Sequence, residues 1–122
     1  ARLPFSVGLF QQTAAEILLA ENELVTDLAE KIKAERKRIY ECLLSFKVFK
    51  ALPSYANFFL LESSILNAYQ IFNRLLERGV LVRWFDLPEL ADKIRVTIGR
   101  SEENDFLIEK LRDIEKEVTG CR

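Results

Sequence analysis

Val80-Leu81-Val82-Arg83-Trp84-Phe85, followed after eight residues by Ile94-Arg95-Val96-Thr97-Ile98-Gly99, decides how this chain is read. Each stretch alternates side chains with the period of a β-strand, which sends successive residues to opposite faces. Val80, Val82 and Trp84 share one face of the first, and Ile94, Val96 and Ile98 one face of the second. Arg83 and Arg95 then fall on the opposite face, with Thr97 beside Arg95. The connector Asp86–Asp92 is too long for a tight hairpin, but it has room for a helical turn between antiparallel neighbours. Paired strands would project two arginines from one side of a small sheet. A guanidinium stays charged and presents a planar fork matched to carboxylate or phosphate, so two forks suit a ligand with two anionic groups. The plainer alternative is two arginines hydrating an exposed sheet face.

At 122 residues the chain fits one domain and is long enough to bury a core. Its 49% hydrophobic and 30% charged content is ordinary for a globular protein. Eighteen basic residues against nineteen acidic ones leave a net charge of -1, which argues for neither nucleic acid nor an acidic membrane as partner. No apolar run approaches the length of a bilayer span, and the first residues lack a signal-peptide layout. Cys42 and Cys121 are the only cysteines, a pattern of a reduced, cytoplasmic chain rather than a disulfide framework. The absence of histidine removes the commonest general base and metal ligand, and no metal site is expected. GxGxxG, GxxxxGK[ST] and CxxC motifs are likewise absent.

In chain order, Ala1 to Gly8 reads as extended, since Pro4 disfavours helix at Leu3. A helix follows over Phe10–Ala20, with Ala14, Ile17 and Leu18 on one side. Asn22 suits the N-cap of a longer helix from Glu23 to about Ser45, with an apolar stripe of Leu24, Leu28, Ile32, Ile39, Leu43 and Phe46. Its charged residues Glu30, Lys33, Glu35, Arg36, Lys37, Arg38 and Glu41 read as a solvated face with i,i+4 pairs. Phe46–Ala51 suggests a short edge strand, and Asn57–Leu61 a buried one. Ser63 or Ser64 is the expected cap of the next helix, whose apolar face is Ile65, Leu66, Tyr69, Phe72, Leu75 and Leu76. Gly79 sits where a left-handed C-terminal residue is wanted. Ser101-Glu102-Glu103-Asn104 starts the last helix with a serine cap and two acids, and Leu107, Leu111, Ile114 and Val118 form its buried stripe.

The expected fold is α+β: a small antiparallel or mixed sheet with helices on one face, preceded by two helices. A chain that begins at Ala1, without methionine, looks like a piece of a larger protein.

Three runs carry a family resemblance: Pro53-Ser54-Tyr55-Ala56-Asn57-Phe58-Phe59, Leu76-Glu77-Arg78-Gly79-Val80-Leu81-Val82-Arg83, and Ile94-Arg95-Val96-Thr97-Ile98-Gly99 with Glu102-Glu103-Asn104. Together they resemble the C-terminal portion of histidinol-phosphate aminotransferases, and the opening Leu3-Pro4-Phe5-Ser6-Val7 resembles that family's segment leading from the large to the small domain. The resemblance runs from Leu3 to about Glu117. It implies the small domain of a fold-type I pyridoxal-phosphate aminotransferase of histidine biosynthesis. In the domain organisation it implies, residues 1–21 are a connecting segment and helix from the large domain, and 22–122 are the small domain. By the same resemblance Arg95 matches the arginine that holds the substrate α-carboxylate, and Arg83 the one contacting the substrate phosphate. Asn57 matches an asparagine whose amide lies near the carboxylate site. Ser6 departs from the asparagine common at its position, so the opening segment is assigned no role.

The family's chemistry needs a Schiff-base lysine, an aspartate partner for the pyridinium nitrogen and a phosphate cradle. That lysine lies in a serine-lysine stretch, a context that none of Lys31, Lys33, Lys47, Lys50, Lys93, Lys110 or Lys116 has. The resemblance therefore implies no catalytic or cofactor-binding residue in this chain. Pyridoxal phosphate is expected in the intact enzyme and none on this chain alone. The implied partners are the remainder of the aminotransferase, a second copy in a homodimer, glutamate and a phosphorylated amino-acid substrate. Apolar faces on Phe10–Ala20 and Glu23–Ser45 would drive self-association of the isolated chain. A threonine-phosphate decarboxylase-like domain and a non-enzymatic α+β ligand-binding module are the alternatives.

Overall fold

The computed structural model describes residues 8–20 and 22–120. The expected extended segment over residues 1–7, with its Leu3–Val7 resemblance, and Cys121 lie outside the described residues. The elements run α1 (Leu9–Ala20), α2 (Asn22–Leu43), β1 (Phe49–Ala51), β2 (Phe58–Ser63), α3 (Ala68–Glu77), a 3-10 turn (Pro88–Leu90), β3 (Lys93–Thr97) and α4 (Ser101–Thr119). The chain divides into two compact units, Ala1–Lys31 and Ile32–Arg122.

The first unit holds α1 and the opening turns of α2. No residue of α1 is buried, and Leu24 and Leu28 are mostly exposed. The apolar stripe expected along the whole of α2 is therefore buried only in its C-terminal half, at Ile39 and Leu43.

The second unit is built on an antiparallel sheet of order β1-β2-β3. Burial alternates along β2, with Phe59, Leu61 and Ser63 inside and Phe58, Leu60 and Glu62 half-exposed. The strand expected to be buried on both faces is covered on one. On β3, Ile94 and Val96 point to the same inner face. Ile39 and Leu43 of α2, Ile71 and Leu75 of α3, and Leu107, Leu111 and Ile114 of α4 join Phe59, Leu61, Ile94 and Val96 in one core. Helices thus cover one face of the sheet, as the α+β pattern predicts.

Two helix starts differ from expectation. Asn67, not Ser63 or Ser64, caps α3: its Oδ1 accepts from Gln70 N at 2.8 Å while Gln70 Oε1 accepts from Asn67 N at 3.0 Å. Ser63 is committed to β2, and its buried hydroxyl instead receives the amides of Ile65 and Leu66. Ile65 consequently lies outside the helix and is exposed. Arg100, not Ser101, is the N-cap of α4; Glu103 Oε2 reaches back to the Arg100 amide at 2.8 Å.

The larger correction concerns Val80–Phe85, which is not a regular strand. Its only ladder contact is a single antiparallel bridge, Arg83 to Arg95, closed by Arg83 N to Arg95 O (3.1 Å) and Arg95 N to Arg83 O (2.7 Å). The segment is tied down at both ends before it can pair further. The Val80 amide donates to Leu75 O of α3, and Leu87 O accepts from Leu90 N in the turn at Pro88. The alternation still holds: Val80, Val82 and Trp84 pack against the core. Gly79, at φ 80°, makes the left-handed turn that releases the chain from α3.

Charged residues of α2 are not all a solvated face. Glu35 accepts from Arg38, from Ser101 Oγ (2.9 Å) and from Asn104 Nδ2 (2.8 Å), and Arg38 also pairs with Asp105. Asn104 is buried and grips the β3–α4 junction, donating to Gly99 O and accepting from Gly99 N. These donors, Arg38 first, hold the Glu35 carboxyl down at about 2, against an ordinary value of 4.5. A depressed folded-state value stabilises the fold above the unfolded value and loses that stabilisation as pH falls toward the folded one. Glu35→Ala should cost about 1.5–3 kcal/mol at pH 7, and the gap to wild type should narrow as pH drops from about 4.5 toward 2. Urea denaturation at pH 7 and pH 3 measures both. Gly79→Ala, with open space around the new Cβ but a positive φ, should cost on the order of 1 kcal/mol in the same assay.

Candidate functional site

The sheet face turned away from the helices carries Phe58, Leu60 and Glu62 from β2 beside Lys93, Arg95 and Thr97 from β3. At one end its charges alternate across three strands. Glu62 stands between Lys50 and Lys93 in register, at 3.5 and 3.9 Å. Two residues further along β3 the pattern breaks. Arg95 faces Leu60 on one side and Arg83 on the other. Like charges placed directly opposite repel, and among the described residues no ion pair relieves either arginine.

Aromatic rings take the place of carboxylates. Arg83 Cζ lies 5.6 Å from the Phe85 ring centroid, and Arg95 Cζ lies 5.8 Å from that ring and 5.3 Å from Phe58. Phe85 belongs on this side because it is two residues from Arg83 along an extended chain. Phe58 belongs there because the β2–β3 register sets it diagonal to Arg95. Between them, Trp84 turns inward and meets Tyr69 and Phe72 of α3 edge-on or tilted, at 5.3 and 6.3 Å, which anchors the segment. The result is an open groove of about 590 Å³ lined by Phe72, Leu81, Val82, Arg83, Trp84, Arg95 and Thr97. A cation held near a ring by its quadrupole keeps its N–H donors, so two guanidinium groups beside apolar walls have the chemistry to donate to an anion.

Arg83, Arg95 and Thr97, which the alternation placed on one face, are thus brought together. Asn57 is not among the groove's lining residues. It is exposed at the start of β2, where its carbonyl accepts from Ile98 N at 2.9 Å. The loop before it is held by Tyr40 Oη to Leu52 O and by Arg36 to Ala56 O, at 2.8 and 2.7 Å. Phe58 and Phe85 escaped notice as neighbours of the arginines. The i,i+2 spacing of Arg83 and Phe85 was the available signal, whereas Phe58 depends on a register that no local pattern discloses.

No protein-family model matches the chain. Curated relatives do. The chain is 39% identical over 111 residues to histidinol-phosphate aminotransferase 1 of Carboxydothermus hydrogenoformans, covering 91% of this chain and 31% of the relative. It is 39% identical over 122 residues to the protein of the same name from Archaeoglobus fulgidus, covering 99% and 35%. It therefore spans about a third of the length of the curated relatives it matches. Among solved structures, the histidinol-phosphate aminotransferase of Clostridium acetobutylicum superposes with a TM-score of 0.79 at 21% identity, over 95% of this chain and 36% of that one. The same enzyme from Sinorhizobium meliloti, solved with pyridoxal-5'-phosphate, gives 0.72 at 24% identity, over 82% and 28%. An L-threonine-O-3-phosphate decarboxylase from Porphyromonas gingivalis gives 0.63 at 22% identity, over 70% and 27%.

No lysine lines the groove, and the most buried lysine amines, those of Lys93 and Lys110, sit against Asp92 and Glu109. In sequence over nearly its whole length, and in fold, the chain is similar to a segment about one-third the length of a histidinol-phosphate aminotransferase.

Proposed function

We propose that this chain is the C-terminal part of a pyridoxal-phosphate-dependent histidinol-phosphate aminotransferase, with residues 22–122 as its small domain and residues 1–21 as the connecting segment and helix. The observation that carries the reading is the pair of guanidinium groups on cross-strand partners, within cation–π distance of a shared aromatic ring and with no ion pair to either among the described residues. Arg38, Arg74 and Arg78 are matched with acids here, Arg112 lies alone beside the Phe46 ring, and among the described residues only Arg83 and Arg95 share one ring as direct cross-strand partners. Leaving two such charges unmatched in one groove is physically reasonable where a ligand supplies the anions. In this reading Arg95 takes the α-carboxylate and Arg83 the phosphate, with the exposed Asn57 amide as a further contact. The rest of the parent chain holds the cofactor, which when bound supplies the electron sink for amino transfer. This chain's part is to bind and orient the substrate.

Glutamate brings two carboxylates, whereas imidazole-acetol phosphate brings a phosphate and no carboxylate. The two half-reactions therefore weigh the arginines differently. In the full-length enzyme, Arg95→Ala should fall hardest on the glutamate half-reaction and Arg83→Ala on the phosphorylated one. Each loss should be on the order of 10- to 100-fold in kcat/KM, from roughly 1.5–3 kcal/mol per charge-assisted contact. Lysine at either position should rescue only in part, because an ammonium lacks the fork. Single-turnover measurements of both half-reactions decide the matter: near-wild-type rates for both variants would return the arginines to a hydrated sheet face.

One observation favours a second reading. Two adjacent forks also match O-phosphothreonine, which carries an α-carboxylate and a phosphate on one small molecule. Carbon dioxide release from O-phosphothreonine, without transamination of imidazole-acetol phosphate, would select the decarboxylase. We further propose a cytoplasmic homodimer. In the isolated 122-residue chain, self-association through the exposed Leu9, Phe10, Ile17 and Leu19 of α1 is the expected outcome. Sedimentation velocity across a concentration series should show a dimer or larger species; a monomer throughout counts against it.

A further inference from the structure

Phe85 is not part of the hydrophobic core, and its neighbours on the chain explain why it is oriented outward rather than why it is aromatic. Its ring lies within cation–π distance of both Arg83 and Arg95, while Phe58 reaches Arg95 alone. We propose that Phe85 is a positioning residue that holds the two guanidinium groups at a set separation and so makes the groove selective for ligands with two anionic groups over ligands with one. This rests on the anion-binding reading of the arginines and adds what fixes their spacing.

Arg83 and Arg95 occupy a hydrogen-bonded cross-strand pair, so their Cα atoms are held close and their charges would drive the side chains apart. Nothing acidic pulls them back among the ion pairs of the described residues. The negative face of an aromatic ring attracts a cation without occupying its hydrogen-bond donors. A ring shared by two cations therefore draws both inward yet leaves both forks free. Each loses rotamer freedom before ligand arrives, which lowers the ordering cost of binding. A ligand with two anionic groups collects this benefit at both forks, and one with a single group collects it at one. Glu62 performs the corresponding task for Lys50 and Lys93, but a carboxylate there consumes the charges it orders.

Trp84 is the only tryptophan in the chain and lines the groove, so its emission reports occupancy directly. The experiment titrates the 122-residue chain with 3-phosphonopropionate, which has two anionic groups, and with propylphosphonate, which has one. Phe85→Leu should weaken 3-phosphonopropionate by about three- to tenfold, the scale of a lost cation–π contact, and leave propylphosphonate within about twofold. Phe85→Tyr should retain wild-type selectivity. A thermal melt of Phe85→Leu should match wild type, since the ring lies outside the core. In parallel, NMR of the arginine Nε–H groups should show the ring-current shift of Arg83 lost and that of Arg95 reduced in Phe85→Leu, but only that of Arg95 altered in Phe58→Leu. Unchanged binding of both ligands by Phe85→Leu, or equal weakening of both, overturns the proposal. If that happens while Arg83→Ala and Arg95→Ala still abolish binding, the arginine reading survives without it. If the arginine variants respond like wild type, or wild type binds neither ligand, the anion-binding reading fails and this inference with it.

Discussion

Five residue pairs between Phe58–Glu62 and Lys93–Thr97 are the constraint on which the rest of the second unit depends. Because side chains alternate along a strand, this one register assigns every residue of β2 and β3 to a face. A slip of β3 by one residue against β2 would send Ile94 and Val96 into solvent and bury Lys93 and Arg95. Burial of those apolar side chains against three helices makes that slip prohibitive. The outward position of Arg95 is therefore enforced by the hydrophobic core, on the other side of the sheet from any ligand.

From that register the two ends of the outer face acquire opposite characters. At the Lys93 end, Glu62 and Asp92 offset Lys50 and Lys93. At the Arg95 end the facing residues are Leu60 and a second arginine, with aromatic rings in place of acids. The fold can sustain such an uncompensated pair because the backbone bridge and the inward anchor of Trp84 hold Val80–Phe85 without help from side-chain charge. The same separation of labour appears at the β3–α4 junction. There Asn104, Glu35 and Arg38 are mutually satisfied, and the network is structural. Arg38 is matched with two acids, Glu35 and Asp105, whereas Arg83 and Arg95 have aromatic rings beside them and no ion pair among the described residues.

How much of this was legible in the residues depends on the range of the interaction. Alternation over Ile94–Ile98 and Val80–Trp84 correctly assigned inner and outer faces, because side-chain direction in extended chain is a local property. Gly79 was readable for the same reason: a left-handed turn after α3 is a local steric demand. The helix caps were misplaced because several residues near each start can accept an amide. Ser63 was withdrawn from that role by β2, and Ser101 had its hydroxyl engaged by Glu35, across 66 residues of chain.

What the residues determined by themselves was therefore the four helices, the inner face of β3 and of Val80–Trp84, and the placing of Arg83 and Arg95 on a common side. Only the tertiary structure decided that Val80–Phe85 makes a single bridge rather than a strand, that Phe85 and Phe58 lie within cation–π distance of the arginines, and that Asn57 stands outside the groove they line. The physical reason is the difference between a periodicity and a register. Periodicity is written in the steric preferences of neighbouring residues. Register and the pairing of distant charges follow from the packing of all three helices on the sheet at once.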